Sequence, residues 1–255
     1  MRNLKVLLSY DGTDFLGWQT QPGRRTVQET LETAIAAVTG TTAFANASGR
    51  TDTGVHAVGQ VVNFKSATHL TPEVLVKALN AHLPEDVVVR AVTEAAPDFD
   101  ANRHALRKRY RYVIHDDPVR ELFLRRYAWH LPYARLDAEA MAAASRCLVG
   151  RHDFHSFETE WPNRKTSVRT ITLLNVNRAG PYVWIDVEAD GFLYNMVRSI
   201  VGTLVNVGRG YWPVTQVDAI LRAEDRRQAG PTAPAQGLFL MEVTYPEQSQ
   251  PTAAE

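Results

Sequence analysis

The first helix is predicted by apolar residues that recur at helical spacing near the start of the chain: Val27, Leu31, Ile35 and Val38. Thr26 and Glu29 stand at the spacing of a capping box, in which the two side chains satisfy free backbone N–H groups. Gly40 follows as a stop, because glycine readily adopts the left-handed conformation that ends helices. The pattern therefore predicts a helix between Thr26 and Gly40.

Further periodic segments surround this helix. Alternating or continuous apolar runs predict strands at residues 4–11, 59–65 and 87–95, with a weak short strand at 42–46. A second helix is predicted over 71–84, with Thr71 as its cap and Pro72 in its first turn. The first half of the chain is thus predicted to have the order β-α-β-β-α-β.

The second half repeats this theme. Strands are predicted at 109–116, 170–178, 182–190 and 237–245, and helices at 137–150, at 192–207 and from residue 215. Both halves are consistent with split β-α-β units of the ferredoxin-like kind, so we expect an α+β fold of two halves whose sheets flank a central basic cleft. We expect halves at 1–102 and 103–246, a hinge within 96–105, and a flexible tail at 247–255, where apolar periodicity ends.

Composition narrows the class of protein. No stretch approaches the roughly 18 apolar residues of a membrane span, and Met1 leads into a predicted strand and not into a signal peptide, so we expect a cytoplasmic protein. The single cysteine, Cys147, excludes an intramolecular disulfide and a cysteine-based metal cage. His152, Asp153 and His155 lack a matching ligand pair at zinc spacing, so we expect no metal site.

Charge is balanced overall, with 28 basic and 28 acidic residues, but it is unevenly distributed. Basic residues cluster at 23–25, 103–112, 123–127 and 163–170, and aromatic residues are interleaved in the "RKRYRY" segment. In a strand, Lys108, Tyr110 and Tyr112 would share one face, and three arginines the other. Such a segment favours nucleic-acid binding, in which Tyr110 stacks on a base or transfers a proton, although a solvated basic face and a core role for Tyr112 remain alternatives.

Asp52 is the candidate catalytic residue of the first half. It lies between Gly49 and Gly54, where the backbone can turn sharply and a ligand can come close. Arg50 would share a side with it in an extended loop, and a nearby guanidinium lowers the pKa of an aspartate, which suits a nucleophile. The structural alternative is a carboxylate that caps a turn, a common role for aspartate. His56 is expected to support this loop.

Arg198 is the candidate partner of that carboxylate. It lies in a predicted helix that is apolar around most of its circumference, so its guanidinium is expected to point inward and to require an acceptor. Asp52 is one candidate, Asp190 is a local competitor, and an Arg198 side chain that reaches solvent is the third alternative.

These motifs resemble the tRNA pseudouridine synthase A family. The resemblance rests on "GRTDTGVHAVGQVVNF" and extends through "YDGTDFLGWQTQ", "RKRYRY", "GRHDFHSF", "NMVRSIVGTLVNVG" and "TAPAQGLFL". It implies isomerisation of uridine to pseudouridine at positions 38 to 40 of the tRNA anticodon stem-loop, by a homodimer that needs no cofactor. The family's catalytic aspartate falls on Asp52, its substrate-contacting tyrosine on Tyr110, its paired arginine on Arg198 and its loop arginine on Arg50.

Two positions depart from the family's pattern. Thr53 stands where an alanine is usual, and Asn102 stands at the place of an arginine, with Arg103 one residue later, so a phosphate contact there is in doubt. The rival readings are an RNA-binding module, which predicts that Asp52 is dispensable, and a nucleoside or glycoside hydrolase, which ordinarily needs a second carboxylate.

Overall fold

The computed structural model describes residues 1–133, 135–159 and 166–246. Backbone contacts divide the chain into two compact units, of which the first comprises Met1–Leu106 with the segment from Leu240, and the second Arg107–Phe239. Both contain helices and strands, which confirms the predicted α+β class. The predicted tail at 247–255 and the basic residues at 164 and 165 lie outside the described residues.

The first unit shows the predicted order β-α-β-β-α-β. Its elements are β1 (Arg2–Tyr10), α1 (Val27–Thr39), β2 (Asn46–Ala47), β3 (His56–Ser66), α2 (Pro72–His82) and β4 (Val87–Ala95). β1 pairs antiparallel with both β3 and β4, and β2 pairs antiparallel with β3. The weak strand predicted at 42–46 is wrong in position, since β2 starts only at its last residue.

The caps of the two helices agree only in part with the prediction. Gly40 has φ 71° and donates its N–H to Ala36 O, and Thr71 accepts from Val74 N just before Pro72. The predicted capping box at Thr26 is wrong, because this side chain makes no cap hydrogen bond. Its Oγ1 is instead buried without a hydrogen-bond partner among the described residues.

The last strand, β10 (Leu238–Thr244), belongs largely to the first unit. The sequence assigns it to the second half, yet its residues from Leu240 lie in the first unit, where the strand order is β4-β1-β3-β10. Gly59 in β3 lies so close to the backbone of Met241 that a Cβ atom would overlap its carbonyl group. Glycine at this position therefore permits the close approach of β3 and β10, which about 180 residues separate in sequence.

The second unit is built on an antiparallel sheet of order β5-β9-β8-β7, and the short strand β6 runs parallel to β5. Its elements are β5 (Arg107–His115), β6 (Trp129–His130), α3 (Ala138–Ser145), β7 (Gly150–Asp153), β8 (Val168–Ala179), β9 (Tyr182–Ala189), α4 (Met196–Gly208) and α5 (Gln216–Ala223). β6 and β7 are too short to give a periodic signal, and the sequence did not predict them.

Helix α4 forms the centre of this unit. All of its 13 residues are buried except Arg198 and Asn206. The helix begins four residues later than predicted, because Asn195 has φ 61° and this left-handed backbone interrupts the helix. No helix in the described part of the chain is long and apolar enough to cross a membrane.

Candidate active site

Asp52 lies half-buried in the loop that leads from β2 to β3. This loop folds back on itself, since Val55 N donates to Asp52 O at 3.1 Å. Gly54 supports that turn with φ 76°, a conformation that glycine adopts without strain. The carboxylate is thus presented on a short, defined turn directly before the longest strand of the first unit.

A second loop, residues 11–18, packs directly against the Asp52 loop. Trp18 N donates to Thr51 O at 3.0 Å. A Cβ atom on Gly17 would lie 2.7 Å from that oxygen, and a Cβ atom on Gly12 would overlap the carbonyl group of Val55. These glycines therefore allow two backbones to touch, and the sequence analysis gave neither of them a role although both lie in a quoted motif.

Buried hydroxyl and amide groups fix the base of the Asp52 loop. Tyr10 Oη lies 2.8 Å from Thr51 Oγ1, and Gln60 donates from Nε2 to Gly49 O at 2.9 Å. Ser48 Oγ donates to Gln60 Oε1 at 2.7 Å. Burial raises the pKa of Tyr10 to about 12, so this hydroxyl stays protonated at neutral pH. The residues on both sides of Asp52 are thereby held in place.

His56 joins the two loops, as the sequence analysis expected. Its ring is 2 % exposed, and Gly12 N donates to Nδ1 at 3.0 Å. Asp11 Oδ1 lies 3.1 Å from the same nitrogen. While Nδ1 accepts from the amide it has no hydrogen to give the carboxylate, so the Asp11 contact is then a close approach and not a hydrogen bond.

Arg50 is exposed at the start of the same loop. No ion pair between Arg50 and another described residue is found, Asp52 included. The predicted lowering of the Asp52 pKa by this guanidinium therefore has no direct contact to support it. An exposed guanidinium with free donors suits contact with a phosphate or another part of an RNA substrate.

Tyr110 and Tyr112 share one face of β5, as the alternation predicts. The Tyr110 ring is 8 % exposed and meets the ring of Phe192 edge-on, with 5.1 Å between centroids. Tyr112 is fully buried and donates from Oη to Pro234 O at 2.7 Å. Tyr112 therefore belongs to the core, which was the alternative that the sequence left open.

Arg198 leaves α4 with its guanidinium held by two acceptors of the second unit. Nε donates to Ala233 O at 2.7 Å, and Nη1 donates to Asn195 Oδ1 at 2.9 Å. Asp190, the local competitor, instead accepts from Thr170 N at 3.0 Å. The predicted pairing of Arg198 with Asp52 stays a prediction.

The segment that holds Arg198 is pressed against α4. A Cβ atom on Gly202 would overlap the carbonyl group of Pro231, whose carbon would lie 2.9 Å away. Gly230 N donates to Thr203 Oγ1 at 2.9 Å, and Ala233 N donates to Arg198 O at 3.1 Å. This close contact was not predicted, although Gly202 and Gly230 were its available signal in the sequence.

The predicted cationic face of β5 is partly neutralised. Arg111 forms a bidentate pair with Asp186, at 2.9 and 3.0 Å. Arg107 pairs with Glu188 at 3.3 Å. Because β9 lies beside β5, its acidic residues come opposite these arginines, which the sequence of β5 alone does not show.

Comparison with known proteins identifies the family. A family model described as tRNA pseudouridine synthase matches residues 7–102 and 144–246. The chain belongs to the tRNA pseudouridine synthase family. A protein named tRNA pseudouridine synthase A from Acetivibrio thermocellus is 43% identical over 245 residues, which cover 96% of this chain and 100% of that protein. One of the same name from Geobacillus kaustophilus is 46% identical over 249 residues, covering 97% and 96%.

The protein is accordingly an isomerase that acts on tRNA. Among solved structures, a complex titled Cbf5-Nop10-Gar1 matches 82% of this chain and 55% of the matched chain, with 14% identity and a TM-score of 0.33, which is too low to support an inference. In the part of this synthase that the structure describes, no group of three or more His, Cys, Asp or Glu side chains could hold a metal ion.

The two departures from the family's pattern lie at the surface of the first unit. Thr53 is exposed next to Asp52. Asn102 and Arg103 are both exposed, and their backbone N–H groups both donate to Asp100 Oδ1 at 2.9 Å. The Asp100 carboxylate thus fixes the backbone at both positions.

Proposed function

We propose that this synthase isomerises uridine to pseudouridine at positions 38, 39 and/or 40 of the tRNA anticodon stem-loop, with Asp52 as its catalytic carboxylate. The observation that carries the proposal is the half-buried Asp52 on a turn whose neighbours are fixed by Tyr10, Trp18 and Gln60. A carboxylate held in this way needs little reorganisation when it reacts. The names of the bacterial relatives, tRNA pseudouridine synthase A, support the choice of substrate.

The reaction suits this set of residues. Isomerisation breaks the bond from N1 to C1′, turns the uracil and joins it through C5. A base then removes the C5 proton and N1 gains one, so every heavy atom of the uridine is kept. An ionised carboxylate can begin it, either by attack on C1′ or C6 or by stabilising positive charge on the sugar as the base departs. We therefore propose that no metal, nucleotide or redox cofactor takes part.

The other site residues have supporting roles in this proposal. Tyr110 contacts the uracil or the sugar, and Arg50 and Arg198 contact the substrate or the carboxylate. The target uridine must leave its stack, which costs a few kcal/mol that contacts with the enzyme offset. The contacts of Arg198 with Ala233 and Asn195 support its role, because they orient the guanidinium before any substrate binds.

The proposal includes three further features. The protein acts in the cytoplasm, and it acts as a homodimer, which the family resemblance implies. Its halves are ferredoxin-like and flank a basic cleft that receives the RNA. The antiparallel strand order β4-β1-β3, with β2 on β3, supports the ferredoxin-like arrangement of the first unit.

Tritium release from tRNA labelled at uridine C5 tests the function, with purified protein and no added cofactor. We expect release by the wild type, loss of at least about 1,000-fold in Asp52→Ala, and tRNA affinity within a few-fold, because phosphate contacts dominate binding. Asp98→Ala, which removes an exposed carboxylate of the same unit, is the matched control and should keep full activity.

Three outcomes would contradict the proposal. Free uracil among the products would indicate a hydrolase. Tight binding without release by the wild type would indicate an RNA-binding module. Turnover by Asp52→Ala would assign the chemistry to another residue.

A further inference from the structure

A cavity of about 250 Å³ lies in the second unit beside the ends of β5 and β6. Its polar and aromatic lining includes His115, Arg120, Glu121, Arg125, Trp129 and His130. None of the four residues assigned to the proposed reaction lines it. The cavity is therefore a separate feature of the fold that the proposed function does not use.

Two histidines form one wall of this cavity. The parallel register of β5 and β6 sets His115 beside His130, and their rings stack with 5.3 Å between centroids. The ring of Tyr182 on β9 also lies against His115, with 5.0 Å between centroids. His130 lies with Nε2 2.8 Å from Asp117 O, and since a carbonyl only accepts, this nitrogen carries the hydrogen.

His115 and Arg120 have hydrogen-bonding capacity that the described residues do not use. His115 is 5 % exposed, and its ring nitrogens make no hydrogen bond to the described part of the chain. The Arg120 guanidinium likewise has no ion pair or hydrogen bond within residues 1–133, 135–159 and 166–246. Because buried polar groups are rarely left without partners, the buried His115 ring indicates a polar ligand, and the exposed Arg120 guanidinium adds a charged donor to the same lining.

The charge and size of the cavity define the class of ligand. Arg120 and Arg125 outweigh the single carboxylate of Glu121, which accepts from Phe123 N. Arg125 is oriented by a hydrogen bond from Nη1 to Leu122 O, and its remaining N–H groups can donate to a ligand. Guanidinium groups suit phosphate, and Trp129 suits a stacked base. The volume lies below the range of about 300 to 1,000 Å³ typical of drug-sized ligands, so the ligand is no larger than about one nucleotide.

We propose that this cavity binds one nucleotide of the tRNA, other than the target uridine, with its phosphate at Arg120 and Arg125 and its base at Trp129. The inference rests on the proposed function for its source of RNA. Pro234 also lines the cavity, next to Ala233, whose carbonyl group holds Arg198. A bound nucleotide therefore contacts the segment that orients an arginine of the proposed site.

The test measures tRNA affinity by filter binding over a series of salt concentrations, in the Asp52→Ala background. Arg120→Ala removes the phosphate contact, and His115→Phe keeps the stacked ring but removes its nitrogens. We expect each to weaken binding by about 5- to 20-fold, and Arg120→Ala to lower the salt slope by about 1. Arg146→Ala, another exposed arginine of this unit, is the control and should bind within about twofold of its parent.

Direct binding of uridine 5′-monophosphate to the Asp52→Ala protein, without tRNA, distinguishes RNA from a free nucleotide. We expect no saturable binding of the monophosphate up to millimolar concentration. Binding at micromolar concentration that Arg120→Ala abolishes would assign the cavity to a free nucleotide and overturn the proposal, as would an Arg120→Ala affinity for tRNA equal to that of Arg146→Ala. Because binding is measured without turnover, inactivity of the wild type would contradict the proposed function alone.

Discussion

Gly202 offers the sharpest test of how Arg198 is held. On helix propensity alone, Gly202→Ala should stabilise α4 by about 1 kcal/mol, since alanine is the better helix former. The structure predicts the opposite sign. The new Cβ would overlap the Pro231 carbonyl group, which belongs to backbone and cannot turn aside as a side chain could.

The stability lost in Gly202→Ala can be estimated from the displacement of the 230–233 segment that the new Cβ requires. Overpacking of a dense interior costs about 1 to 3 kcal/mol. Displacing the segment also strains the bond from Gly230 N to Thr203 Oγ1 and the charged bond from Arg198 to Ala233 O, which contribute about 1 and about 2 kcal/mol. After the gain in propensity, we expect a net loss of about 3 to 5 kcal/mol, which lowers the melting temperature by about 6 to 20 °C.

Thermal unfolding followed by circular dichroism measures this loss. Gly208→Ala is the matched control on the same helix, because its Cβ would meet the flexible end of Met141, at 2.6 Å from Sδ, and not backbone. We expect its melting temperature to change by less than about 3 °C. A Gly202→Ala protein as stable as the wild type, or more stable, would refute the close contact between α4 and the backbone of the 230–233 segment.

Three further predictions concern single side chains. Arg198→Lys should lower turnover at least about 100-fold, because a single ammonium does not replace a fork that bonds two acceptors; full activity in the tritium assay would contradict this. Tyr112→Phe should lower the free energy of unfolding by about 1 to 2 kcal/mol, because Pro234 O loses its hydrogen-bond donor. An unchanged midpoint of urea unfolding would show that this hydrogen bond does not contribute to stability. The pKa of Tyr10 is raised in the folded chain, which therefore keeps a phenol proton that the unfolded chain loses above pH 10. The contribution of Tyr10 to the free energy of unfolding is thus full below pH 10 and is lost toward pH 12. Between pH 9 and 11, the free energy of unfolding of the wild type should fall by about 1 kcal/mol more than that of Tyr10→Phe, and an equal fall in urea titrations at the two pH values would contradict a buried hydroxyl.

Local signals in the sequence determined much of the first unit. The predicted strand at 87–95 coincides with β4, and Thr71 and Pro72 begin α2 as expected. These features depend on neighbouring residues, because side-chain alternation, caps and turn residues act over a few positions. Asp52 could be selected for the same reason, since its flanking glycines lie within three residues of it.

Only the tertiary structure decided the features that depend on residues far apart in sequence. Acidic residues of β9 neutralise Arg107 and Arg111, and Ala233 holds Arg198 from 35 residues away. The contacts of Gly12 and Gly17 with the Asp52 loop likewise require two backbones to touch. A sequence shows that a guanidinium needs an acceptor or that a glycine allows close approach, but the identity of the partner is set by distances that exist only once the chain has folded.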